Sequence, residues 1–110
     1  MLSSSDIDIT KNIKLIESFQ CQLLNTVAEL FTSLADAGVS NKERADILSN
    51  IVILTYLLAD RLGISYTALD AKVLNNIKLG ILDENGSGMW QTELSALAKH
   101  IDKNRNMLQG

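Results

Sequence analysis

The stretch Ala45–Gly63, ADILSNIVILTYLLADRLG, decides the fold. It reads as one helix whose apolar residues cover most of its circumference: Ile47, Leu48, Ile51, Val52, Ile53, Leu54, Leu57, Leu58 and Leu62. A surface helix carries a single apolar stripe, whereas a helix that is apolar all round is buried on several sides. Because the chain has only 110 residues, we expect another copy of the chain to cover the second buried side. The run is shorter than the roughly 18 apolar residues of a membrane span, which predicts the core helix of a soluble protein.

A long amphipathic helix is predicted before this stretch, from about Thr10 to Ala37. Its apolar residues recur every three or four positions: Ile13, Ile16, Phe19, Leu23, Val27, Leu30 and Leu34. Gly38 is suited to end this helix as a C-cap. Ser40 and Glu43 then form an S-x-x-E capping box that opens the central helix, and Gly63 closes it.

Two shorter helices are predicted in the second half of the chain. Ser65 can cap a helix that continues through Lys78 and ends at Gly80, and the segment DENGSG at 83–88 has the composition of a loop. A last helix follows from about Met89 to Asn104. We therefore expect one all-α domain over residues 1–110, a four-segment helical bundle with two long antiparallel helices, in which residues 1–8 and 106–110 are flexible.

Composition excludes several classes of function. The net charge of −3 provides no basic surface for nucleic acid, and no basic amphipathic face for a membrane is present. The N-terminus lacks the charged and apolar regions of a secretory signal. The single cysteine, Cys21, cannot form a disulfide within the chain and is expected to be a small buried hydrophobe in a cytoplasmic protein. The single histidine, His100, has no partner at metal-binding spacing and is expected on the surface.

Four segments of the chain resemble a known family: DITKNIKLIE, LLNTVAELFTSLADAG, ILSNIVILTYLLADRLGISYTALDAKVLNNIKLGI and MWQTELSALAKHID. In order and pattern they are similar to the MazG-like family of all-α nucleoside triphosphate pyrophosphatases, especially its short members from Gram-positive bacteria and their phages. The resemblance implies an all-α bundle that assembles through its long helices as a homodimer or homotetramer. It also implies Mg²⁺ held by acidic residues of two consecutive helices, and cleavage between the α and β phosphates.

The acidic motifs of that family are only partly present here. The family pattern E-E-x-x-E falls on Asn25-Thr26-Val27-Ala28-Glu29, so only Glu29 keeps a carboxylate. The second pattern, E-x-x-D, falls on Ile47-Leu48-Ser49-Asn50, with Asp46 one position upstream of the expected glutamate. Because Mg²⁺ prefers several hard oxygen ligands, Glu29 and Asp46 together predict weak metal binding at most.

Seven residues are candidates for ligand binding, and each has an ordinary structural alternative. Their side chains can bind a cation or a phosphate, or stack on a base: Glu29, Asp46, Asn50, Lys72, Asn76, Lys78 and Trp90. Glu29 can instead be a solvated helix residue, and Asp46 can be an acid that is favoured near the start of its helix by the helix dipole. Asn50 can be a buried amide that fixes helix register. The lysines on a third helix can be solvated, and Trp90 can anchor a core.

Three functions from different classes remain compatible with these residues. The preferred one is a protein that binds a nucleotide or a nucleotide-derived signal and sequesters it without hydrolysis, since the pocket residues are retained and the metal ligands reduced. It requires no cofactor and is compatible with Mg²⁺. The alternatives are a Mg²⁺-dependent nucleoside triphosphate pyrophosphatase and a purely structural interaction module.

Overall fold

The structure, a computed structural model, describes the backbone of residues 4–83 and 88–109 and the side chains of residues 6–83 and 90–104. The described residues form four helices and no strand: α1 (Ser4–Leu34), α2 (Asn41–Arg61), α3 (Tyr66–Leu82) and α4 (Gly88–Gln109). The all-α prediction is therefore confirmed. The chain divides into two compact units, the first reaching to Tyr66 and the second beginning at Thr67.

In the first unit, α1 packs along α2. At one end, Asn12 near the start of α1 donates a hydrogen bond of 3.2 Å to the carbonyl of Arg61, the last residue of α2. At the other end, the Arg44 side chain from the start of α2 donates to the carbonyl of Ser33 near the end of α1. Between these contacts lies a small core formed by the buried residues of the two helices: Ser33, Ile47, Leu54 and Ala59.

Much of the apolar surface of this unit stays exposed within the chain. On α2, the side chains of Leu48, Val52 and Ile53 are about half exposed, so the expected burial on several sides is not reached by one chain. Cys21 on α1 is also exposed, and the prediction of a buried cysteine is wrong. The apolar residues of α1 and α2 exceed what packing of these two helices alone can cover.

The ends of α2 follow from local sequence. The Ser40 hydroxyl accepts a hydrogen bond of 3.2 Å from the Glu43 amide, which confirms Ser40 as the N-cap. Gly63 closes the helix with φ 87°, and the amides of Gly63 and Ile64 donate to the carbonyls of Asp60 and Ala59. This is the Schellman arrangement, in which glycine occupies the left-handed position at little cost.

The ends of α1 differ from the prediction. The helix begins at Ser4 rather than near Thr10, so residues 4–8 are assigned to it, and residues 1–3 lie outside the described residues. It ends at Leu34 rather than Ala37, and Gly38 is not its C-cap, since Gly63 is the one glycine with positive φ in the described chain. After Leu34, the amides of Ala35 and Asp36 donate to the carbonyls of Thr32 and Ser33, three residues back. Arg44 from α2 also donates to the carbonyls of Ser33 and Asp36.

In the second unit, Gly80 lies inside α3 rather than ending it, and α3 continues to Leu82. A Cβ atom at Gly80 would lie 2.6 Å from Cδ1 of Leu94 on α4, so glycine here leaves room for the end of the Leu94 side chain. Of the predicted loop at 83–88, Asp83 is non-helical, Gly88 begins α4, and residues 84–87 lie outside the described residues. α4 extends to Gln109, so residues 106–109, for which a flexible tail is predicted, are assigned to the helix. Gly110 is outside the described residues.

The candidate pocket between α1 and α2

A cavity of about 390 Å³ opens between the end of α1 and the beginning of α2. We call it the acidic pocket, because four of its nine lining residues are acidic: Glu29, Asp36, Glu43 and Asp46. The other five lining residues are Thr32, Ser33, Val39, Ile47 and Asn50. Ser33 and Ile47 are buried at its floor, whereas the four acidic residues are exposed. The described lining residues include no lysine or arginine.

Helical periodicity explains why these residues converge. Glu29, Thr32 and Ser33 are three or four positions apart and therefore share one face of the last turns of α1. Glu43, Asp46 and Asn50 have the same spacing on the first turns of α2. Because the end of α1 lies beside the beginning of α2, the two faces form opposite walls of one pocket.

Several polar groups of the pocket already have partners in the chain. The hydroxyls of Thr32 and Ser33 donate to the carbonyls of Ala28 and Leu30, at 3.1 and 2.7 Å. One carboxylate oxygen of Asp36 accepts a hydrogen bond of 2.9 Å from the Gly38 amide. These bonds hold the walls of the pocket in place. The groups that remain to bind a ligand are mainly oxygen atoms with free lone pairs.

The donor set of the pocket has the right chemistry for Mg²⁺ but not the arrangement of a resident metal centre. Carboxylate and amide oxygens are the ligands that Mg²⁺ prefers. However, within the described residues no three His, Cys, Asp or Glu side chains come close enough to hold a metal ion. Glu29 and Asp46, the two predicted metal ligands, line the same pocket, but no third acidic residue of the described chain lies close enough to complete a metal site with them.

The structure brings together three of the seven candidate residues. Glu29, Asp46 and Asn50 all line the acidic pocket, and Asn50 is exposed rather than a buried structural amide. The remaining four belong to the second unit. All of them are exposed: Lys72, Asn76, Lys78 and Trp90.

The four candidates in the second unit do not share one face. Lys72 and Asn76 lie four residues apart on the same face of α3, whereas Lys78 follows Asn76 by two positions and points to a different face. Trp90 is 58% exposed, which argues against a role as a core anchor. Its indole Nε1 lies 4.0 Å from the point where a Cβ atom would stand on Gly80. The surface position predicted for His100 is confirmed, and a hydrogen bond of 3.1 Å joins its Nε2 to Asn104.

Sequence reasoning missed two acidic residues of the pocket, Asp36 and Glu43. Glu43 had been explained as part of the capping box, and Asp36 lay in the segment assigned to the end of α1. Glu43 and Asn50 are seven residues apart on α2, a spacing that returns a helix to the same face. Asp36 lies beyond the end of α1 at Leu34, where helical spacing does not apply.

The opposite side of this helix pair has a different character. Ile13, Leu24 and Phe31 lie on α1 roughly half a turn of the helix away from Glu29, and they are 49%, 71% and 66% exposed. Leu48 and Val52 lie in the same way opposite Glu43 and Asp46 on α2. Since the acidic residues of both helices line one pocket, these five apolar residues lie together on the far side, which we call the apolar face.

The described helices include none long and apolar enough to cross a membrane. Neither the curated proteins nor the solved structures include a significant match to the chain. The sequence model of the MazG-like family, by contrast, matches residues 9–94, which include α2, α3, most of α1 and every residue of the acidic pocket. The chain belongs to the MazG-like family.

Proposed function

We propose that this protein binds the magnesium complex of a nucleotide, or of a nucleotide-derived molecule, in the acidic pocket and holds it without hydrolysis. The observation that carries the proposal is the presence of four acidic residues on one cavity within the family-matched region. The MazG-like family includes nucleoside triphosphate pyrophosphatases, which supports a nucleotide as the ligand.

The charge of the pocket determines the form in which a nucleotide can enter. Phosphates are anionic, so four acidic side chains repel a metal-free nucleotide. The sequence alone indicated two acidic residues, which favoured binding without Mg²⁺. The addition of Asp36 and Glu43 reverses that preference, and we expect the cation to arrive with the ligand, coordinated by phosphate and pocket oxygens together.

Sequestration is favoured over hydrolysis because several carboxylates of the family's metal site are replaced in this chain. When bound, Mg²⁺ neutralises phosphate charge and can activate water for attack on phosphorus. The family's acidic positions are occupied here by Asn25, Thr26, Ile47 and Asn50. Each 1.36 kcal/mol of lost transition-state stabilisation slows hydrolysis about tenfold, so loss of several ligands removes useful turnover more readily than it removes binding.

The second candidate function is a Mg²⁺-dependent nucleoside triphosphate pyrophosphatase. One observation favours it: Asp36 and Glu43 add to the pocket two acidic residues that the family motif does not contain. These could replace the missing carboxylates if ligand binding drew them together. Release of nucleoside monophosphate and pyrophosphate would establish this activity.

Assembly through the apolar face is part of the proposal. We propose that the two long helices pair antiparallel, as the contacts of Asn12 and Arg44 at opposite ends support, and that a second copy covers the apolar face. Burial of apolar surface contributes roughly 25 cal/mol per Å², and α1 and α2 together expose five large apolar side chains there. We propose that the resulting assembly is a homodimer or homotetramer and that it is located in the cytoplasm.

The candidate residues of the second unit keep a proposed role in ligand recognition that is independent of the acidic pocket. Lys72, Lys78 and Asn76 offer donors for phosphate, and Trp90 offers a stacking surface for a base. Trp90 is the single tryptophan of the chain, so its fluorescence reports on this role directly. Quenching by a bound nucleotide would support stacking, whereas unchanged fluorescence at saturation would exclude it.

The experiment that tests the proposed function combines binding and product analysis. Purified protein is titrated with nucleoside triphosphates, cyclic dinucleotides and ADP-ribose derivatives by calorimetry, once with Mg²⁺ and once with EDTA. We expect binding of at least one compound with Mg²⁺, much weaker binding with EDTA, and recovery of the intact compound by mass spectrometry after heat denaturation. Binding of none of them would refute the proposal and leave a structural interaction module. Turnover that disappears in Glu29→Gln would establish the pyrophosphatase instead.

A further inference from the structure

We infer that Arg44 is a positioning residue for the acidic pocket, which holds Asp36 in place without contacting the ligand itself. The effect on ligand affinity rests on the proposed function, whereas the effect on Asp36 is independent of it. Arg44 is the fourth residue of α2 and is half-buried. It is absent from the residues that line the pocket.

The guanidinium of Arg44 joins three segments of the first unit. Its Nη2 donates to the carbonyls of Ser33, near the end of α1, and Asp36, in the connection, both at 3.0 Å. Its Nη1 donates at 3.3 Å to the side-chain oxygen of Asn41, the first residue of α2. Ser33 and Asp36 both line the pocket, so Arg44 holds one wall of it in place although Arg44 is not itself a lining residue.

The described hydrogen bonds of Arg44 come from its two Nη groups. Arg44 Nε is buried and has no hydrogen-bond partner among the described residues. The Nη groups are therefore the donors through which the guanidinium is anchored. A lysine ammonium is a single point that cannot reproduce the planar fork with which Arg44 reaches Asn41 and the two carbonyls.

The position of Arg44 also has an electrostatic reason. α1 has no basic residue in its last turn, although a positive charge there is favourable for the helix dipole. Arg44 supplies that charge from the neighbouring helix, close to the carbonyls where α1 ends.

Asp36 is the residue through which Arg44 reaches the pocket. The Asp36 carbonyl accepts from both Arg44 and the Val39 amide, and its carboxylate accepts from the Gly38 amide. The main chain and side chain of Asp36 are thus held by one local network. When Arg44 is removed, the turn at residues 35–39 loses its one contact to a charged donor in that network.

The first arm of the test uses the ligand-free protein. Amide hydrogen exchange of Gly38 and Val39 is measured by NMR in the wild type, Arg44→Met and Arg44→Lys. We expect exchange about tenfold or more faster in Arg44→Met, the size of losing one charge-assisted hydrogen bond, and partial recovery in Arg44→Lys. Lys42→Met, which removes an exposed charge from the same helical turn, is the control and should match the wild type. Unchanged exchange in Arg44→Met would overturn the inference.

The second arm separates positioning from mere stabilisation. Affinity for the magnesium complex of the nucleotide found to bind is measured in Arg44→Met, Asp36→Asn and the double variant. If Arg44 acts through Asp36, the double variant binds no more weakly than Asp36→Asn, because the two losses are not additive. Additive losses would overturn the inference. If the wild type binds no nucleotide, the proposed function fails, and the exchange measurement still decides whether Arg44 holds Asp36.

Discussion

The two sides of the α1–α2 pair are built from the same two helices and carry opposite chemistry. One side holds four acidic residues around a cavity, and the other exposes five large apolar side chains. Within the chain, both sides face solvent. The comparison shows that a buried seam can fix a helix pair while each helix keeps two exposed flanks of different chemistry. The proposed partners differ accordingly: a cation-bearing ligand for the acidic side and an apolar surface for the other.

The largest expected effect comes from charging the apolar face. Phe31→Glu together with Val52→Glu should leave the fold intact, because both side chains are more than half exposed in the chain. It should weaken association at least about 100-fold, since two apolar anchors are lost from a buried interface. Light scattering at micromolar concentration should then change from an oligomer to a 12.1 kDa monomer.

The matched control for this variant is Gln22→Glu, which adds a carboxylate to an exposed position of α1 outside both the apolar face and the pocket. It should keep the mass of the wild type. A wild-type protein that is already a monomer at this concentration would contradict the assignment of the apolar face to a second copy.

The next largest effect is expected on the opposite side. Glu29→Gln with Asp46→Asn removes two negative charges from the acidic pocket and should weaken binding of a magnesium–nucleotide complex about tenfold or more. Calorimetry with Mg²⁺ provides the measurement. Glu17→Gln with Asp60→Asn makes the same chemical changes on the same two helices outside the pocket and should bind like the wild type.

Binding by the monomeric variant tests whether the two sides are independent. Since the lining of the acidic pocket comes from one chain, Phe31→Glu with Val52→Glu should retain most of the affinity for the magnesium–nucleotide complex. Loss of binding on dissociation would show that the site needs a second copy and that the two sides cannot be treated separately.

Sequence reasoning succeeded where a feature depends on neighbouring residues. The Ser40 N-cap and the Gly63 C-terminus of α2 are local hydrogen-bond patterns, and both are confirmed. It failed where another helix decides the outcome. α1 ends at Leu34, close to the carbonyls of Ser33 and Asp36 that Arg44 binds, and α3 continues through Gly80, against which the Leu94 side chain lies.

The same distinction applies to the candidate site. Glu29 and Asn50 could be named because they fall on positions of the family motif, and Asp46 because it lies one residue before such a position. Asp36 and Glu43 could not, since their local roles in a turn and a helix start already explained them. Asp36 and Glu43 line one pocket because α1 packs against α2. Sequence periodicity indicates this only when the packed face of each helix is already known.

A cysteine placed on the apolar face gives a smaller but more local signal. In a Cys21→Ser background, Leu24→Cys should react with a maleimide about tenfold more slowly in the assembled protein than in the Phe31→Glu, Val52→Glu monomer, because accessibility controls thiol reactivity. The native Cys21 is exposed and lies on neither side, so its rate should be the same in both. Equal rates for Leu24→Cys would place the interface elsewhere.

The smallest effect expected is a gain in stability from neutralising one pocket residue in the absence of ligand. Four acidic residues around one cavity repel each other, so Asp46→Asn should raise the free energy of unfolding by about 0.5 kcal/mol at low salt, a size typical of exposed charge interactions. Asp46 is the sixth residue of α2, and the helix dipole acts mainly in the first turn, so little favourable dipole energy is lost. Chemical denaturation in 10 and 500 mM salt measures the effect, which should shrink at the higher salt because screening weakens repulsion between exposed charges. Asp60→Asn, on the same helix outside the pocket, should show no such gain. If Asp46→Asn is less stable than this control, Asp46 makes a favourable contact in the free protein, and repulsion does not govern the acidic side.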